Sequence, residues 1–169
     1  MRYIITPLVG IEWDNGRIAL GMSKDNVISI LGEPFSIWDN SVYYFGNELR
    51  FDFNSNNELD FIEFLGGIEG KLKPEIFEIE AFSVLADELL TVLTNKNNGS
   101  IIDNENGYSY AFPEIGIGIY RESIPDDIDE MIKAAEVAGE PSNKEDYNYE
   151  MSKAIHWASI GLGSKDYYR

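Results

Sequence analysis

A short alternating stretch in the second half of the chain constrains its fold more than any other feature. Ile102–Arg121 reads IDNENGYSYAFPEIGIGIYR. Asn104-Glu105-Asn106-Gly107 is turn chemistry, because asparagine and glycine adopt positive φ at low cost. Tyr108, Tyr110 and Phe112 then alternate with Ser109 and Ala111 at the period of a pleated strand. Pro113-Glu114 interrupts the run, since proline cannot donate to a central ladder. Beyond it, Ile115, Ile117 and Ile119 alternate with Gly116 and Gly118. One face of this strand is a row of isoleucines and the other is nearly bare backbone, onto which an aromatic ring or another segment can close. The stretch is expected to form a hairpin at the centre of a sheet.

The flanking signals extend this into an α+β plan. Ile4–Trp13 reads as an opening strand, interrupted by Pro7 and so expected near an edge. Asp14-Asn15-Gly16 is a hairpin turn, with Arg17–Leu20 as the return strand. Ser23 is placed to cap a helix over Lys24–Leu31 with Val27, Ile30 and Leu31 inward, and Gly32 and Pro34 end it. Val42–Phe45, Leu49–Phe53 and Leu59–Leu65, separated by Gly46-Asn47 and Asn54–Asn57, form an antiparallel meander.

After a connector over Lys71–Glu80, a helix capped at Ser83 carries the stripe Leu85, Leu89, Val92 and Leu93. A capping signal at Ser123–Asp126 opens a third helix that ends at Gly139, with Ile128, Met131, Ile132 and Ala135 inward. Glu140–Ser152 reads as a polar loop. Ile155–Leu162 reads as a last strand before the aromatic tail Tyr167-Tyr168-Arg169. The predicted fold is a twisted antiparallel sheet with helices packed on one side. It forms a single domain over residues 1–169, with possible repeated helix–meander halves over 1–70 and 71–169.

Charge narrows the partners. The chain has 30 Asp and Glu against 13 Lys and Arg, a net charge of −17 and a pI near 4.2. Such a surface repels nucleic acid and anionic lipid, whose binding depends on lysine and arginine. It is read either as long-range attraction to a basic protein or as solubility alone. There is no cysteine, hence no disulfide or thiolate chemistry. The start of the chain lacks a signal-peptide h-region and no apolar run is long enough to span a membrane, so a cytoplasmic protein is expected.

Catalytic signals are weak. His156 is the only histidine, and no G-x-S-x-G elbow surrounds any serine. It reads as a strand residue with a local hydrogen bond. Gly161–Lys165 lacks the spacing of a phosphate loop and reads as a terminal turn. Asp103, Glu105 and Gly107 imitate part of a calcium loop with glycine at the wrong position, and turn chemistry explains them. Carboxylate pairs such as Glu58/Asp60 and Glu78/Glu80 share a strand face. In a chain with 30 acids they read first as solvated surface. No catalytic residue, metal ligand or cofactor is assigned.

Leu31-Gly32-Glu33-Pro34 followed by Val42–Phe53 resembles the helix–meander unit of the β-lactamase-inhibitor-like repeat fold. Asp87–Leu90, Asn106–Ile117, Tyr120-Arg121, Ile160–Gly163 and Tyr167-Tyr168 together resemble small acidic proteins of Gram-positive bacteria, immunity partners of polymorphic or contact-dependent toxins. That resemblance covers roughly Phe82–Arg169. It implies an acidic immunity protein that occludes a cognate basic toxin, a nuclease on grounds of charge. Asp126, Asp127, Asp129 and Glu130 are the candidate partner contacts, being concentrated at a helix start. A nucleic-acid mimic or acidic regulator is the alternative, and a carboxylate-based hydrolase a more distant one.

Overall fold

The chain opens on two strands rather than one. In the computed structural model, which describes residues 1–141 and 143–169, β1 (Arg2–Thr6) turns at Pro7 and returns as β2 (Gly10–Trp13). Leu8 in the turn has φ 61°. Proline therefore lies outside any ladder, and β1 occupies the middle of its sheet instead of the expected edge. β2 continues into β3 (Gly16–Ala19) through Asp14-Asn15, as predicted.

The connector over Lys71–Glu80 holds two further strands, β8 (Lys73–Ile76) and β9 (Ile79–Glu80). The resulting five-stranded sheet runs β3-β2-β1-β8-β9, with β1 and β8 parallel. Pro74 is tolerated inside β8 because its missing N–H faces Ala81, just past the end of β9, and not the β1 ladder. Lys73 donates to Met1 on the β1 side, while the Pro74 carbonyl, facing the other way, accepts from Ala81.

The larger sheet has eight antiparallel strands. Its first four are β4 (Ser36–Trp38), β5 (Ser41–Tyr44), β6 (Leu49–Phe53) and β7 (Leu59–Phe64). They follow α1 (Lys24–Leu31), capped by Ser23 as expected and closed by Gly32 at φ 80°. Only Val27 of α1 is buried, and Ile30 faces solvent. The other four strands are β10 (Ile102–Asp103), β11 (Ser109–Phe112), β12 (Ile117–Tyr120) and β13 (Ser159–Gly163). They follow α2 (Ala86–Lys96), whose N-cap is Leu85, exposed, rather than Ser83.

The strand order is β10-β11-β12-β13-β7-β6-β5-β4. Each half of the sheet thus comes from a helix followed by four strands, and the last strands of the two sets, β7 and β13, pair at the centre. The β11–β12 hairpin lies beside this pair and not at the centre itself. The central position goes to β13, shorter than the strand expected over Ile155–Leu162.

The two sets differ in one connection. β6 reaches β7 through the tight turn of Asn54–Glu58. Between β12 and β13 the chain instead leaves the sheet to form α3 (Pro125–Ala138) and α4 (Lys144–Ala154), which pack on each other. A loop was expected over Glu140–Ser152. Most of it is helix, and Ser142 lies outside the described residues.

The core is shared between the sheets. Tyr3, Ile5, Ile11 and Ile18 of the small sheet join Leu49, Phe51, Phe64, Ile117, Ile160 and Leu162 of the large one and Leu89 and Leu93 of α2 in one buried cluster. Each such side chain contributes about 1.5–3 kcal/mol by leaving water. The alternation of β12 works as its sequence implies: Ile117 and Ile119 face the core, and Gly118 faces the other way. There the chain's own tail closes over it. A Cβ on Gly118 would lie 2.7 Å from the ring of Tyr168, one on Gly161 2.5 Å from the ring of Phe61, and one on Gly163 2.6 Å from Cβ of Tyr167. Glycine is the only residue that leaves room for these rings. Tyr167 stacks on Phe61 with centroids 4.6 Å apart and an interplanar angle of 5°.

Candidate functional site

The excursion between β12 and β13 concentrates the charge of the molecule. From Glu122 to Glu150 the chain carries ten acids and two lysines, Lys133 and Lys144. This is eight of the net −17 charges, placed on a helical hairpin outside the sheet.

The base of the hairpin is fixed by buried polar contacts. Arg121, at its start, is buried and donates from Nε to the Gly107 carbonyl and from Nη1 to the Ala154 carbonyl, both at 3.0 Å. Its guanidinium lies 4.9 Å from the ring of Trp157. Trp157, at the end of the hairpin, donates its indole N–H to the Ala86 carbonyl at 3.0 Å. One arginine and one tryptophan thus tie both ends of the excursion to the Gly107 turn and to the start of α2. His156, in the same segment, follows α4 rather than lying in a strand, and its Nδ1 is 2.7 Å from the Ser152 carbonyl.

The four acids singled out at the start of α3 have unlike roles. Asp127 is used internally. Its carboxylate accepts from the Tyr108 hydroxyl at 2.8 and 2.6 Å and from the Ile124 backbone N–H at 2.9 Å. Ile124 rather than Ser123 is the N-cap, and Asp127 supplies the acidic side chain of the box. The Tyr108 hydrogen bond, the Ile124 N–H and the nearby Arg121 charge hold the Asp127 carboxyl below its ordinary range, with partial burial opposing them.

Asp126, Asp129 and Glu130 remain exposed. Asp126 borders a cleft of about 400 Å³ between Leu85, Asp87, Arg121, Ile124 and Ile155. Asp129 faces the Tyr147 hydroxyl of α4 across 3.5 Å.

Between the two helices lies a groove of about 530 Å³ that composition did not reveal. Met131, Ile132, Ala135 and Tyr147 line its floor, and Glu136 and Asp146 stand among its walls. Met131, expected inward, is exposed here, and Val137 is 91% exposed. The sequence did contain the signal: an apolar stripe longer than the one face that α3 buries. Of that stripe only Ile128 is fully covered. An apolar floor inside an acidic rim is a surface that can take a side chain or segment from a basic protein.

The other candidate sites dissolve into local structure. Asp103 Oδ1 accepts the backbone N–H groups of Glu105 and Gly107, so the calcium-like residues form an Asx turn. Gly161 and Gly163 lie in β13, and the turn begins only after them. On the outer face of the large sheet, Arg50 pairs with Asp52 and Glu63 at 3.2 and 3.1 Å and lies over Phe61. No helix among the described residues is long and apolar enough to cross a membrane.

Compared with protein-family models, with curated proteins and with solved structures, the chain matches none.

Proposed function

We propose that this chain is an acidic inhibitor of the immunity type, which binds a cognate basic toxin in the cytoplasm and covers its working surface without catalysis of its own. The observation that carries this reading is the α3–α4 hairpin, an element added to the sheet whose segment carries ten acids and two lysines, with Glu136, Glu140, Asp146 and Lys144 bordering an apolar groove. Asp126, Asp129 and Glu130 supply long-range attraction, which acts chiefly on the rate of encounter. Met131, Ile132 and Tyr147 supply the dry contact that slows release. Arg121 and Trp157 keep the hairpin in place before binding, which lowers the entropy lost on association. Asp127 holds α3 in position and makes no contact with the partner.

A nuclease suits the charge, because a groove that holds phosphates is lined with lysine and arginine. The test is co-expression with the product of the adjacent gene in a heterologous host. Loss of that product's toxicity together with a stoichiometric complex on gel filtration is the expected result. Undiminished toxicity with no complex contradicts the reading.

A further inference from the structure

The large sheet leaves one edge open. Among the described residues, β4 pairs with β5 on one side and with no strand on the other. The opposite edge, β10, is only two residues long and leads into the Asp103 turn. Soluble proteins commonly blunt such edges with short strands, proline, lysine, bulges or a covering segment, and β4, three residues long after Pro34, uses only the first two. From Glu33 to Asn40 this chain has no lysine or arginine, and it shows Phe35 66% exposed, Ile37 57% and Trp38 78%. Pleating puts Ile37 and Trp38 on opposite faces, and exposed Phe35 sits in the bend just before β4. Both faces of a strand added here would therefore meet an apolar side chain.

We propose that β4 receives an extended, basic segment of the partner protein as a ninth strand of the sheet. The inference rests on the reading of the partner as basic. Its charge argument is local: Glu33 and Asp39, both exposed, bracket the open edge. An alternating segment with apolar residues against Phe35, Ile37 and Trp38 reaches these two acids with its basic side chains, while main-chain hydrogen bonds supply the affinity. A second copy of this chain fits poorly. Antiparallel pairing of two β4 strands would bring Glu33 of one copy toward Asp39 of the other, and would join two molecules of charge −17.

The test uses a capped peptide of alternating lysine and valine, and the same peptide N-methylated at every second residue. Amide exchange across β4 and acrylamide quenching of Trp38 are followed by NMR and fluorescence. The expected result is at least about tenfold slower exchange at the β4 amides that face away from β5, with Trp38 shielded, for the first peptide only. In Ile37→Lys the effect is lost while the rest of the spectrum is retained. Peptide-induced protection confined to α3–α4, or no protection, overturns the proposal. So does β4 protection that rises with protein concentration in the absence of peptide, since the occupant is then a second copy. Because the peptide replaces the partner, binding at β4 without any toxin neutralisation would count against the inhibitor reading alone.

Discussion

The Tyr108 hydroxyl lies 2.8 and 2.6 Å from the two carboxylate oxygens of Asp127 and joins the edge of the β11–β12 hairpin to the first turn of α3. The contact makes the anchorage of α3 depend on pH at both extremes. Asp127 titrates below its ordinary value of 3.8, so its contribution is complete above that value and is lost as pH falls through the lowered one. Tyr108 titrates above its ordinary 10.0, raised first by its hydrogen bond to Asp127, so its contribution holds below 10.0 and is lost as pH climbs through the raised value. In Tyr108→Phe, NMR titration should show the Asp127 midpoint moving up toward the ordinary value, with α3 amides exchanging faster. An unmoved midpoint would contradict this account.

Arg121 holds the base of the excursion through two buried carbonyls and one indole ring. Arg121→Met keeps most of the volume and leaves those carbonyls without their donor. Urea unfolding should show a loss of about 2–4 kcal/mol, as expected when buried polar groups lose charged partners. A change near zero would mean that other contacts hold the hairpin.

Gly118 and Gly161 leave room for Tyr168 and Phe61. Gly118→Ala should displace the tail and cost about 1–3 kcal/mol by overpacking. Removing Tyr167–Arg169 from the same variant should recover part of that loss, because the clash is with Tyr168. Additive losses in the double variant would show the strain to lie elsewhere.

Helix α4 buries only Ala154, so its cap matters more than its core. The Asn143 side chain accepts from the N–H groups of Glu145 and Asp146. Asn143→Ala should destabilise α4 by about 1 kcal/mol, seen as faster amide exchange within α4 while the large sheet is unchanged.

The parts legible from sequence were those in which local chemistry and burial agree. Ser23 and Gly32 bracket α1, and the alternation of Leu49, Phe51 and Phe53 fixed a strand whose core face they form. Gly118 of β12 announced a close approach, although not that the tail would make it. The failures have physical causes. Pro7 looked like an edge-strand proline because a turn carrying Leu8 at φ 61° leaves no mark in an apolar run. The β8–β9 connector was missed because parallel pairing with β1 joins residues far apart in the chain. Helix α4 was missed because KEDYNYEMSKA has no apolar stripe. At the candidate site the charge was legible from counting. What each acid does was not, since only the fold brings Tyr108 to Asp127 and leaves Asp126, Asp129 and Glu130 in water.

The most direct test of the central claim is stopped-flow association of the protein with the adjacent gene's product as a function of salt. The triple variant Asp126→Asn, Asp129→Asn, Glu130→Gln is compared with the unaltered chain. The account predicts an association rate lower by about tenfold at low ionic strength, converging with the unaltered chain at high salt, and a dissociation rate that changes little. Equal association rates at every salt concentration would show that the acidic hairpin does not steer the partner.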